Sequence, residues 1–119
     1  MVARLSAARR LDASARWPEA LRGGGQAREE ALLWLRAHLA AAAQFDLSRR
    51  RITGDGLQRQ ETARLVRDAA ETALAAVLAD LGRYRGQSAF ATWTAKYAIH
   101  EAAAAARLRG LASPSTGAS

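Results

Sequence analysis

The sequence changes from one helical pattern to the next within RYRGQSAFATWTAKY, residues 83–97. Four aromatic residues, three cations and one glycine fall in this window of an otherwise alanine-rich chain. Gly82, just before the window, can end a helix in the left-handed conformation, and Ser88 is a suitable N-cap for the next helix. Aromatic rings among cations can also hold unpaired nucleic acid, because bases stack on rings while phosphates pair with cations. The window therefore predicts both a helix junction and a binding surface.

Apolar residues recur at helical spacing on both sides of this junction, which predicts helices over residues 26–51, 57–81 and 89–109. Alanine and leucine dominate the apolar half of the composition, and both favour helix. We expect an all-α fold, a small three-helix bundle. The expected inward stripes are Leu32, Leu35, Leu39, Ala42 and Ala43 in the first helix, with Trp34, His38 and Phe45 on an adjoining stripe, and Val66, Ala70, Leu74, Val77 and Leu81 in the second.

The Gly, Pro and Ser clusters near both ends of the chain predict one domain between two less ordered ends. A length of 119 residues suits a single core. Residues 1–25 are expected to be a flexible basic N-terminal arm and a glycine-rich linker, and residues 26–110 the helical domain. Residues 111–119, rich in Ser and Gly around Pro114, are typical of a disordered tail or the start of a linker.

Composition favours a binding protein over an enzyme. The formal net charge of +7 indicates a polyanionic partner, with nucleic acid preferred over an acidic protein or a membrane surface. The chain has no cysteine, which excludes disulfides, thiolate metal sites and thiol catalysis. His38 and His100 have no local partner at a metal-ligand spacing, and the sequence contains no nucleophile elbow, phosphate loop or dinucleotide fingerprint. We expect no catalytic residue, no metal and no cofactor. No apolar run reaches the roughly 18 residues of a membrane span.

The same window carries a family resemblance. RYRGQSAFATW, residues 83–93, continuing through residues 96–99, resembles region 2 of extracytoplasmic-function (ECF) RNA polymerase sigma factors, with their Arg-Phe-Arg-Gly-x-Ser-x-Phe-x-Thr-Trp pattern. Tyr84 replaces the commoner phenylalanine, and His100 stands where many members have asparagine. With the preceding helices the resemblance covers residues 26–109. It implies a bacterial cytoplasmic protein that acts in transcription initiation.

The resemblance implies a DNA-binding surface at the loop and the start of the third helix. In the family this surface captures an everted base of the non-template strand of the promoter −10 element. Helical spacing places Phe90 in the core and leaves Trp93 and Tyr97 open between core and surface. The implied DNA-binding residues are Arg85, Gly86, Gln87, Ser88, Trp93, Lys96, Tyr97 and His100.

A second implied surface binds core RNA polymerase. In the family the second helix docks on the clamp helices of the β′ subunit, although residues 67–72 depart from the usual acidic-Leu-Val-Gln-Glu run. An anti-sigma factor is a further candidate partner. The implied polymerase-binding residues are Arg64, Arg67, Asp68, Glu71 and Thr72.

Three interpretations stay open. The chain is either the region 2 part of a longer sigma factor that also has the −35 reader, region 4, or a short homologue without one. The third interpretation belongs to another class: a sigma-like helical protein-interaction module that regulates transcription without reading DNA.

Overall fold

The computed structural model of the protein describes residues 16–49 and 59–108, and this part of the chain is helical without any strand. The prediction of an all-α fold is confirmed. Within the described residues, no helix has both the length and the apolar character needed to cross a membrane. The elements are α1 (residues 16–22), α2 (Gly25–Arg49), α3 (Arg59–Asp80), a short 3-10 turn (Leu81–Arg83) and α4 (Phe90–Leu108).

Helices α2, α3 and α4 each pack against the other two and enclose one core. The buried stripe of α4 consists largely of alanine, and small side chains allow neighbouring helices to approach closely. The expected stripes are largely confirmed, although Leu32, Ala42 and Val66 are only half-buried. The buried residues include Ala31, Leu35, Leu39, Ala43 and Leu47 in α2, Leu65, Ala69, Ala70, Ala73, Leu74 and Val77 in α3, and Phe90, Ala98, Ala102 and Ala106 in α4.

Phe45 does not lie on the stripe that adjoins the core of α2. Its side chain is 63% exposed, and the guanidinium of Arg49 lies 5.5 Å from the ring centroid. Phe45 is two residues from both Ala43 and Leu47, which are buried. Because a helix has about 3.6 residues per turn, two residues correspond to roughly half a turn, so Phe45 points away from the core.

A helix that the sequence does not predict, α1, packs against α2 and contacts the 3-10 turn. Trp17 stacks on Trp34 of α2 with ring centroids 5.2 Å apart, and Leu21 is buried. Arg22 donates a hydrogen bond from Nη2 to the carbonyl oxygen of Leu81, at 2.8 Å. The expectation of a flexible arm is therefore corrected for residues 16–22, and the three predicted helices become four in the described part of the chain. Residues 1–15 and 111–119, which were predicted as arm and tail, lie outside the described residues.

The helix ends on either side of the loop differ from the predicted ones. Gly82 does not adopt the left-handed conformation, since the described glycines with positive φ are Gly25 and Gly86. Instead α3 runs into the 3-10 turn, which the Tyr84 N–H closes on the Leu81 carbonyl at 3.2 Å. Ser88 is not the N-cap of α4, because the helix begins at Phe90 and the Ala89 carbonyl accepts the hydrogen bond from the Trp93 N–H, at 3.0 Å. Both local signals were wrong, because the 3-10 turn carries the chain through Gly82 to Arg83 and the loop extends through Ala89.

Candidate nucleic-acid interface

The loop between the 3-10 turn and α4 presents the first group of predicted DNA-binding residues. Arg85, Gly86 and Gln87 are exposed, and Ser88 is half-buried. Gly86 has a φ of 79°, a left-handed conformation that glycine adopts without the steric cost of a Cβ. A Cβ built at Gly86 would meet no atom within 4 Å, so the position requires glycine for its backbone conformation and not for lack of space.

Two hydrogen bonds hold this loop. The Tyr84 hydroxyl donates to the main-chain carbonyl of Ser88 at 2.5 Å, and the Arg85 N–H donates to Oε1 of Gln87 at 2.9 Å. Because a backbone N–H can only donate, the second bond fixes the carboxamide oxygen of Gln87 towards Arg85. The amide NH₂ of Gln87 is then the group that this side chain can offer to a hydrogen-bond acceptor on a ligand.

Phe90 forms the buried centre of an aromatic cluster, as the sequence predicts. Its side chain is 1% exposed and its ring lies 6.2 Å from Trp34, 5.1 Å from Tyr84 and 5.8 Å from Trp93, measured between centroids. Such aromatic pairs each contribute about 0.5–1.5 kcal/mol beyond the area they bury. Trp93 is half-buried and also packs on Tyr97, at 5.1 Å. Trp93 and Tyr97, which the sequence left open, therefore lie at the boundary between core and surface.

The second group of predicted DNA-binding residues lies on α4. Lys96, Tyr97 and His100 line one shallow pocket of about 240 Å³. Lys96 and His100 are exposed and stand one helical turn apart, with the half-buried Tyr97 beside them. The surface that lines the pocket is almost wholly apolar, so the pocket itself offers a ring and carbon surface for a planar group, and Lys96 adds a positive charge on the same helix.

Asp80 at the end of α3 fixes the ring of Tyr97. The Tyr97 hydroxyl donates to Oδ2 of Asp80 at 2.9 Å. Burial raises the pKa of Tyr97, and the hydrogen bond to Asp80 and the charge of that carboxylate raise it further, while Arg83 opposes them. Tyr97 is therefore a neutral phenol at physiological pH, and its orientation depends on a carboxylate of the neighbouring helix.

Trp93 connects the two groups. Its ring lies 5.1 Å from Tyr84, which begins the loop, and 5.1 Å from Tyr97, which lines the pocket. The loop and the α4 pocket are thus joined by one continuous set of ring contacts.

The predicted polymerase-binding residues all lie exposed on α3. Glu71 forms an ion pair with Arg36 of α2, with Nη1 and Oε2 3.1 Å apart and both side chains about half exposed. An exposed pair of this kind contributes about 0–1 kcal/mol to stability. Sequence reasoning missed Arg36, because the pair joins residues on different helices and leaves no local signal. The exposed residues are Arg64, Arg67, Asp68, Glu71 and Thr72.

His38 has a structural contact. Its Nε2 lies 2.8 Å from the carbonyl oxygen of Ala91, so this nitrogen carries the hydrogen, and its ring stacks on Trp34 at 4.9 Å. Residues 16–49 and 59–108 contain no group of three or more His, Cys, Asp or Glu side chains that could hold a metal ion. The described side chains of the site offer hydrogen-bond donors, aromatic rings and positive charges.

Comparison of the chain with family models, curated proteins and solved structures finds no significant match. The residues of the chain and the resemblance in residues 83–99 are therefore what indicate a function. The loop, the α4 pocket and the exposed face of α3 are the features that a function must explain.

Proposed function

We propose that the protein is a sigma-factor region 2 domain, which binds the β′ clamp helices of core RNA polymerase and holds the promoter −10 element as single-stranded non-template DNA. The observation that carries this proposal is the arrangement around Trp93, where an exposed hydrogen-bonded loop and a pocket of aromatic and cationic residues meet. The net charge of +7 favours a polyanionic ligand at this surface.

In this proposal each part of the site has a separate task. The NH₂ group of Gln87 donates to the edge of a base, and Arg85 and Lys96 pair with phosphates on either side. A base that leaves the duplex stacks on the exposed part of Tyr97. Stacking of one base contributes about 1–3 kcal/mol, which is comparable to the few kcal/mol needed to unstack it. The domain therefore stabilises an already opened strand, and the polymerase supplies the opening.

The proposed polymerase surface is on a different helix from the DNA surface. The five exposed α3 residues belong to the helix that precedes the loop, while the pocket belongs to α4. The Tyr97–Asp80 hydrogen bond joins the end of α3 to α4. Both partners are then bound at once, with α3 placing the loop and the pocket relative to the polymerase.

The test is fluorescence anisotropy with a labelled non-template −10 oligonucleotide, using the protein assembled on core RNA polymerase. Trp93→Ala, Gln87→Ala and Arg85→Ala should each weaken binding. Arg85→Ala should also reduce the slope of log affinity against log salt by about 0.7, the value for one phosphate contact on a single strand. Arg59→Ala is the matched control, because Arg59 is an exposed arginine at the start of α3 and should leave affinity and slope unchanged.

Equal, weak affinity of the wild type and all variants for every oligonucleotide would refute DNA reading. Polymerase docking is measured separately, by binding to the isolated β′ clamp helices. Asp68→Ala and Glu71→Ala should weaken that binding and leave the circular dichroism spectrum unchanged.

The second candidate function is the sigma-like protein-interaction module. The observation that favours it is the exposure of large apolar side chains on α2, with Leu33 70% and Phe45 63% exposed. The two side chains are separate contact positions, because twelve residues of helix place them about 18 Å apart along α2 and about 120° apart around its axis. This function predicts that polymerase-bound protein shows no oligonucleotide affinity above that of the polymerase alone, while Leu33→Ser and Phe45→Ser abolish binding to a regulatory protein.

A further inference from the structure

The side chain of Tyr84 combines a fixed ring with a hydroxyl that closes the loop. The ring packs edge-on against the buried Phe90, with centroids 5.1 Å apart and an angle of 69° between the planes. Its other contact is Trp93, at 5.1 Å. From this anchored position the hydroxyl donates to the carbonyl of Ser88, four residues further along the chain, at 2.5 Å. The two ends of the loop are thereby tied to each other and to the core.

Residues 85–87, which lie between these ends, need such a restraint to hold one conformation. Gly86 has no side chain to restrict its backbone, and glycine loses more conformational freedom on ordering than any other residue. Arg85 and Gln87 are exposed, so packing does not hold them. Within the described part of the chain, the hydrogen bond between the Arg85 N–H and Gln87 Oε1 restrains them, and it lies inside the segment that Tyr84 closes. Without the Tyr84 bond this inner contact would join two residues of an otherwise unrestrained loop.

We propose that Tyr84 is a positioning residue, whose hydroxyl holds Arg85 and Gln87 in the conformation that binds the DNA base. The part of this inference that concerns binding rests on the proposed function, and the part that concerns the loop does not. If only a fraction of the molecules has the binding conformation, the apparent affinity falls by that fraction. Removal of one hydrogen bond of this kind should therefore weaken DNA binding by about threefold to tenfold.

The variant that isolates the hydroxyl is Tyr84→Phe. It removes one oxygen atom and keeps the ring contacts with Phe90 and Trp93, so the fold should be retained. The matched control is Tyr97→Phe, because the chain has two tyrosines and the second donates to Asp80 instead of the loop. Thermal unfolding followed by circular dichroism checks that both variants fold.

The first measurement is the NMR order parameter of the backbone amides of residues 85–88, which reports motion on the picosecond to nanosecond timescale. We expect values of about 0.85 in the wild type and in Tyr97→Phe, and values below about 0.6 in Tyr84→Phe. Unchanged order parameters in Tyr84→Phe would overturn the positioning role, whatever the DNA affinity.

The second measurement is oligonucleotide affinity of the polymerase-bound protein, with wild type and Tyr84→Phe compared. A loss of about threefold to tenfold together with a mobile loop supports the proposal. A mobile loop with unchanged affinity overturns it. If the wild type itself shows no DNA affinity, the proposed function fails, and the order parameters alone then decide whether Tyr84 positions the loop.

Discussion

Replacement of Phe90 by alanine should be among the most destabilising single changes in this protein. The Phe90 side chain is 1% exposed and contacts the rings of Trp34, Tyr84 and Trp93. Truncation of a buried phenylalanine to alanine costs about 3–5 kcal/mol, from lost burial and from the cavity left behind. Domains of this size have a total stability of about 5–15 kcal/mol. Phe90→Ala should therefore remove about a fifth or more of the free energy of unfolding.

The assay is urea denaturation followed by far-UV circular dichroism, with the midpoint and the slope fitted separately. The chain provides its own control, because its second phenylalanine, Phe45, is 63% exposed. Phe45→Ala loses only surface contacts, including the one with Arg49, and should cost less than about 1 kcal/mol. If the two variants lie within about 1 kcal/mol of each other, Phe90 is not the centre of the core, and the aromatic cluster does not support the loop as described.

Three further predictions concern the surface. Gln87→Glu keeps an acceptor for the Arg85 N–H, removes the NH₂ donor and adds a negative charge that repels the DNA backbone. Oligonucleotide affinity on the polymerase should therefore fall by about tenfold or more in the anisotropy assay, and an unchanged affinity would contradict a contact between this side chain and DNA. The pKa of Tyr97 is higher in the folded protein than the 10.0 of the unfolded chain. The neutral hydroxyl therefore contributes to stability below pH 10.0, and this contribution is lost as the pH rises from 10.0 through the pKa of the folded state. The absorbance of tyrosinate should therefore report a raised pKa for Tyr97. Asp80→Asn should lower this pKa only part of the way towards 10.0, because burial still raises it. A double-mutant cycle of Arg36→Ala and Glu71→Ala should give a coupling energy of about 0.2–1 kcal/mol that disappears at high salt, and a larger coupling or one that persists in salt would show that the pair is not solvent-screened.

The sequence predicts the three long helices and most of their inward faces, because each helix has several turns over which the spacing of apolar residues can be recognised. Phe90 is predicted in the core by the same spacing. The short helix α1 is not predicted, since seven residues contain too few turns for a periodic pattern. Its order comes from the Trp17–Trp34 stack and from the Arg22 hydrogen bond to the 3-10 turn.

The candidate site is predictable in its residue types but not in its internal contacts. The spacing of Lys96, Tyr97 and His100 on one helix is sufficient to place them together. The Tyr97–Asp80 and Tyr84–Ser88 hydrogen bonds depend on the path of the chain through the 3-10 turn. Gly82 and Ser88 each carry a local signal for a helix end, yet neither signal decides where the helices end.

The contacts around the loop indicate how it would bind. Arg22 of α1 donates to the Leu81 carbonyl in the 3-10 turn before the loop, and the Tyr84 ring rests on the core residue Phe90. The Tyr84 hydroxyl then holds the Ser88 carbonyl on the far side of the loop. The loop is thus restrained on both sides by contacts that exist before any ligand arrives. A loop ordered in advance avoids most of the entropy cost of ordering on binding, so a small surface with one stacking position can still contribute measurable affinity.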